Sequence, residues 1–173
     1  PRLYTIPAMP TTAAEWSDHV RYCAEQECRG SSPLYEAVGL SLAEDHDLLE
    51  WLAAATLPGA SVYLLFAAVH YLLMREAAAN QDSAAPLRSF YPSLTGHPLS
   101  PGAAYPAFRA FCESERDRIA TVLATRTVQT NEVSRCTFLL PAFVIASDLA
   151  GKPLHLIDVG AAAGLNLLFD SYG

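Results

Sequence analysis

Apolar residues recur at three- and four-residue intervals through most of this 173-residue chain. Trp16, Val20, Cys23 and Ala24 fall on one helical face, as do Leu34, Val38 and Leu42. Leu48, Leu49, Trp51 and Leu52 mark a third helix. The polar residues between these runs carry matching start and stop signals. Thr12-Ala13-Ala14-Glu15 has the spacing of a capping box, in which hydroxyl and carboxylate each satisfy a free backbone N–H. Gly30 suits a left-handed cap, and Ser32-Pro33 opens a helix with proline at its first position. Asp45 or Asp47 can cap the third helix, and "LPGAS" breaks it. A fourth helix, over residues 61–79, is apolar nearly all round, the pattern of a helix at the centre of a core.

A long Pro-, Gly- and Ser-rich stretch follows, "NQDSAAPLRSFYPSLTGHPLSPGAAYP". Loops of that length in a compact domain are functional or mobile. Helical periodicity resumes in "FRAFCESERDRIATVLATR", with Phe108, Phe111, Ile119, Val122 and Leu123 on the apolar side. Residues 131–149 predict another helix, kinked at Pro141. Gly151-Lys152-Pro153 is a turn. Only then does the period change: "LHLID" predicts a buried strand, followed by a glycine turn and the start of a helix. The predicted fold class is mainly α. A multi-helix domain over residues 1–150 precedes the first strand-turn-helix unit of a Rossmann-like fold over residues 151–173. An ordinary α/β domain alternates several strands with helices, and this chain predicts one.

Composition narrows the function classes. The formal net charge is −7 and no Lys/Arg cluster occurs, which argues against a nucleic-acid surface. The longest apolar run, residues 60–74, is shorter than the ~18–20 residues that span a bilayer, and it contains His70. No basic segment leads into an apolar stretch at the N-terminus, so the expectation is a cytoplasmic protein without membrane attachment. Cys23, Cys28, Cys112 and Cys136 have no metal-ligand spacing and read as reduced thiols. No metal motif and no nucleophile elbow appears.

Two segments carry candidate chemistry. In the first, Asp158, Gly160, Ala162 and Gly164 follow the predicted strand. The dinucleotide pattern GxGxxG fails because positions 162 and 165 are Ala and Leu, and the Walker pattern lacks its Lys-Ser/Thr. What remains is acidic-x-Gly-x-Gly-x-Gly with the middle glycine replaced by alanine. It looks like the first motif of class I S-adenosylmethionine-dependent methyltransferases. In that reading the turn (Asp158, Gly160, Ala162, Gly164, Asn166) holds the cofactor, and the acidic residue holds its amino-acid end. The other reading is a small-residue turn used only for packing. The second segment is the polar island "TRTVQTNEVSRC", set between apolar helices. Arg126 and Arg135 can bind a carboxylate or phosphate, Glu132 can act as a base or neutralise an arginine, and Gln129 and Asn131 can contact a substrate. The alternative there is a solvated turn with a surface ion pair. His70, alone in its apolar helix, is either a satisfied core residue or a catalyst.

"GSSPLYEAV", "LLFAAVHYLLM", "FRAFC", "TRTVQTNEVSRCTFLLPAF" and "LIDVGAAAGLNLLFDSYG" occur in that order. Together they resemble the bacterial family catalogued as domain of unknown function 2332, over nearly the whole chain from about Trp16. The resemblance implies a helical N-terminal region joined to a methyltransferase-like region, in proteins longer than this one. This chain then corresponds to their N-terminal half. It also implies that His70, Arg126, Gln129, Asn131, Glu132, Arg135, Asp158, Gly160, Gly164 and Asn166 are motif positions. The resulting expectation is the N-terminal portion of an S-adenosylmethionine-dependent methyltransferase-like protein with a small-molecule or peptide-like acceptor, inactive as this piece alone. A non-catalytic binding or assembly module with a degenerate methyltransferase-like half is the alternative. A lone strand has two unpaired edges, so "LHLID" could also pair with a second copy as a homodimer. A cofactor-free hydrolase or transferase built on the Arg/Glu island is a third reading.

Overall fold

The computed structural model describes residues 10–57, 60–78, 86–128, 132–161 and 163–172. Its elements run α1 (Ala13–Tyr22), a π-helical continuation (Cys23–Cys28), α2 (Pro33–Leu42), α3 (His46–Ala55), α4 (Val62–Ala78), α5 (Tyr105–Ser114), α6 (Arg116–Thr125) and α7 (Cys136–Ala150). Short 3-10 helices cover Pro86–Phe90, Pro101–Ala103, Val133–Arg135 and Leu165–Ser171. The architecture is mainly helical, and no strand occurs among the described residues.

The local signals set the helix starts. Glu15 N donates to Thr12 Oγ1 at 3.3 Å and Thr12 N donates to Glu15 Oε2 at 3.1 Å, closing the capping box. Asp45, not Asp47, caps α3: its Oδ1 accepts from Leu48 N at 3.0 Å. Pro33 occupies the first turn of α2, and Gly30 sits at φ 77° just beyond the π-helical segment. The helix expected over residues 108–126 is two helices, broken at Glu115, whose φ of −105° and ψ of 18° leave the helical region.

The chain divides into two compact units, Pro1–Val128 and Gln129–Gly173. Helix α7, expected to close the first domain, groups instead with the residues that follow it. In the first unit Trp16, Leu42, Leu52, Leu65, Phe108, Ile119 and Leu123 are fully buried. Each such side chain contributes about 1.5–3 kcal/mol through removal from water. As its all-round apolarity predicted, α4 is central: eight of its residues are buried. Buried Gly39 on α2 lets that helix approach the π-helical segment closely. A Cβ at position 39 would lie 2.9 Å from Ala24 Cβ. The Pro/Gly/Ser-rich stretch, where described, is exposed over residues 96–100 but anchored at its start. It lays Leu87, Phe90 and Tyr91 into the core.

The second unit is built differently. Cys136 is its one buried residue among those described, while Phe138, Leu149, Ile157 and Val159 are 80–92% exposed. The expected strand is not seen: residues 154–158 form no ladder among the described residues. The apolar pattern is present, but a strand exists through hydrogen bonds to a neighbour, and the described residues offer none. The expected α-helical start after Gly164 is a 3-10 helix, Leu165–Ser171, with non-helical backbone at Leu168. Pro141 is accommodated inside α7, and Gly151 caps that helix at φ 61°. By length and composition alone, the window Val133–Ala150 is apolar enough to cross a membrane, at a mean hydropathy of 1.4. The sequence-based expectation of no membrane attachment rested on the different run at residues 60–74.

Candidate functional site

Three of the residues singled out from sequence share one concavity in the second unit. Arg135, at the end of the 3-10 turn before α7, joins Asp158 and Asn166 around a space of about 300 Å³. Leu139, Phe143 and Ile157 supply its apolar wall. The local sequence explains the assembly. Glu132 Oε1 accepts from Ser134 N at 3.0 Å and so caps the turn that carries Arg135. Cys136 Sγ lies 3.7 Å from Asn166 O and 3.8 Å from Asn166 Oδ1, joining the start of α7 to the 3-10 helix Leu165–Ser171. Phe143 packs on Phe169 with ring centroids 5.3 Å apart. Tyr172 donates to Leu165 O at 2.7 Å and closes that helix on itself.

Gly160 and Gly164 adopt φ of 79° and 72°, the left-handed region in which glycine is at home. Gly164 N donates to Ala161 O at 2.7 Å, forming the tight turn. A Cβ at either glycine would meet nothing within 4 Å, so the space beside the turn is open. Neither Arg135 nor Asp158 is engaged in an ion pair among the described residues. The concavity therefore presents a cation and a carboxylate outside any ion pair, beside the Asn166 amide, whose Oδ1 is in weak contact with Cys136 Sγ. The Glu132 carboxyl is held below its usual range by its bonds to Ser134, with Arg135 adding a smaller effect. That favours the charged form and suits Glu132 to shaping the turn.

The other sequence candidates lie elsewhere. Arg126 ends α6 in the first unit and, with Tyr71, Thr121 and Thr125, lines a shallow space of about 420 Å³. His70 lies on α4, also in the first unit. It is only part-buried and makes no ion pair among the described residues. Its Nε2 is 2.7 Å from Ser93 Oγ, and its ring stacks on Tyr91 at 4.9 Å. Gln129, Asn131 and Ala162 fall outside the described residues. Ser93, Tyr35 and Tyr91 were not singled out from sequence. The signals were there as "GSSPLY" and "FYPSLTG", but only folding brings those segments to His70. Among the described residues no group of three or more His, Cys, Asp and Glu is arranged to hold a metal ion.

No curated protein and no solved structure matches this chain. Residues 17–173 do match the family model described as "Uncharacterized protein conserved in bacteria (DUF2332)", and the chain belongs to that family.

Proposed function

We propose that the second unit is the opening of a Rossmann-like, S-adenosylmethionine-binding region, and that the chain is the N-terminal portion of a methyltransferase-like protein. The observation that carries this reading is the shared concavity of Arg135, Asp158 and Asn166 beside the open Gly160–Gly164 turn. The amino-acid end of S-adenosylmethionine is a zwitterion, with an ammonium and a carboxylate on neighbouring atoms. Asp158 would take the ammonium and Arg135 the carboxylate, each as a charge-assisted hydrogen bond. Asn166 adds a donor and an acceptor. The glycines let a ligand approach the backbone where any side chain would intrude. Bound there, the cofactor supplies a methyl group on a sulfonium, and the protein's part is to hold and orient it.

The uncovered apolar residues give separate support. Leaving Phe138, Leu149, Ile157 and Val159 in water costs free energy, and a parallel sheet beside α7 would cover such surfaces. The acceptor is then a small molecule or a peptide-like group. The test is calorimetric titration of S-adenosylmethionine into the full-length protein, its Asp158→Asn variant and its Gly160→Val variant, with this chain alone as a control. Micromolar binding weakened at least tenfold by Asp158→Asn and abolished by Gly160→Val is the expected result. Absent binding by the full-length protein, or unchanged affinity in both variants, overturns the assignment.

A further inference from the structure

A second cavity, in the first unit, has a different chemistry. It encloses about 500 Å³ between the first turn of α2, His70 on α4, and residues 90–93 and 98–101. None of its lining residues is Lys, Arg, Asp or Glu. Its walls are aromatic rings, leucines and prolines, interrupted by serine hydroxyls. An ionic ligand would lose its hydration there with no countercharge to replace it. The cavity is suited to an uncharged, largely apolar molecule.

His70 and Ser93 are the reactive pair in this wall. In the tautomer with its proton on Nδ1, His70 Nε2 accepts from the Ser93 hydroxyl across the 2.7 Å separation. The base is held by packing, ring on ring. His70 stacks on Tyr91 at 27° between planes. Tyr91 is buried and meets the Tyr35 ring edge to face at 6.2 Å, and Tyr35 stacks on Phe66 at 4.7 Å and 6°. Ser93 itself is exposed, on the turn after Pro92, where a substrate can reach it. Burial lowers the His70 pKa from its ordinary value, so the imidazole is the neutral, proton-accepting form at neutral pH. The opening of α2 adds hydrogen-bond donors. Ser32 makes no side-chain cap, so the first-turn amides of Leu34 and Tyr35, both lining residues, carry no capping acceptor.

We propose that Ser93 is a nucleophile and His70 its general base, acting on uncharged esters with an apolar acyl chain. Ser93 Oγ attacks the ester carbonyl carbon as its proton passes to His70 Nε2. The oxyanion is stabilised by the Leu34 and Tyr35 amides. The carbon–alkoxy bond then breaks, and His70 returns the proton to the departing alcohol. Water, deprotonated by His70, attacks the acyl carbon; the bond to Ser93 Oγ breaks, His70 returns the proton to Ser93, and the carboxylic acid is released. The scheme does not depend on the S-adenosylmethionine reading, which concerns other residues in the other unit.

The test uses the full chain with an alkyl fluorophosphonate, which phosphonylates activated serines with loss of fluoride. Intact mass and peptide mapping should place one adduct on Ser93. Ser93→Ala should abolish it, and His70→Gln should slow it about 100-fold, the low end of what a positioned base supplies. Hydrolysis of p-nitrophenyl octanoate should fall in parallel in both variants, with circular dichroism confirming that each is folded. An unlabelled wild-type chain, an adduct on another residue, or a Ser93 adduct formed equally fast in folded His70→Gln would each overturn the proposal.

Discussion

Asp45 ties the start of α3 to α5 through three hydrogen bonds, and replacing it with alanine should cost about 3 kcal/mol. The cap to Leu48 N contributes ~1 kcal/mol. Oδ2 accepts from Tyr105 OH and Arg109 Nε, each at 2.7 Å. Losing the Tyr105 bond leaves a part-buried hydroxyl without its partner, at about 1 kcal/mol. The Arg109 bond is charge-assisted, but that side chain is 37% exposed, and solvent screening limits it to ~1 kcal/mol. For a unit of this size the sum corresponds to a melting-temperature loss on the order of 10 °C. Asp45→Asn keeps the cap oxygen and should lose about half as much. The pH dependence has a definite sign. Burial works to raise the Asp45 carboxyl, but the bonds from Tyr105, Leu48 and Arg109 outweigh it and hold the folded-state pKa below 3.8. A depressed carboxylate stabilises above its unfolded-state pKa, and that contribution drains away as pH falls through the folded value. Thermal melts of wild type and Asp45→Ala, followed by circular dichroism, should therefore differ most at pH 7, with the gap narrowing as pH falls below about 4. A loss under ~1 kcal/mol at pH 7, or a gap that stays constant into strong acid, would refute this account of the Asp45 network.

Other sites give shorter tests. Gly39→Val puts a branched side chain 2.9 Å from Ala24 Cβ and should destabilise the chain by about 1–3 kcal/mol in urea denaturation; an unchanged midpoint would mean that α2 and the π-helical segment separate freely. Cys23 and Cys112 are buried, and burial pushes their thiols up to about 11 and about 12. Both should resist Ellman's reagent at pH 8 in the native chain and react at once in guanidinium. Phe108→Ala removes a fully buried ring beside Phe66 and Tyr105, and a loss of about 3–5 kcal/mol is expected from equilibrium unfolding.

What the sequence revealed depended on how far apart the deciding residues lie. The Thr12–Glu15 box and the left-handed glycine at 30 are each settled within a few residues, and the structure has them as the pattern implied, while of the two caps offered at 45 and 47 it uses Asp45. The apolar faces of α1 to α4 were legible for the same reason: a helix satisfies its own backbone, so its period can be read without knowing its neighbours. "LHLID" fails that condition. Its apolar pattern is genuine, yet extended backbone becomes a strand only beside a partner, and no partner segment can be inferred from the pattern itself.

The two candidate sites divide along the same line. Arg135, Asp158 and Asn166 stood out one by one, because polar residues next to apolar runs and glycines are conspicuous in sequence. Their convergence depends on Cys136 meeting Asn166, thirty positions away. The Ser93–His70 pair was harder to see, because neither half is unusual alone. A serine after Tyr-Pro reads as a turn, and a lone histidine in an apolar helix reads as either a satisfied core residue or a catalyst, with no partner named by the pattern. The Tyr35–Tyr91 contact turns them into a pair by fixing the imidazole ring at the cavity wall. The long Pro/Gly/Ser-rich stretch earned attention for its length, but what matters in it is Tyr91, a single aromatic packed under His70. A loop that anchors one end of a reactive pair in the core is constrained by packing there and by chemistry two residues later at Ser93.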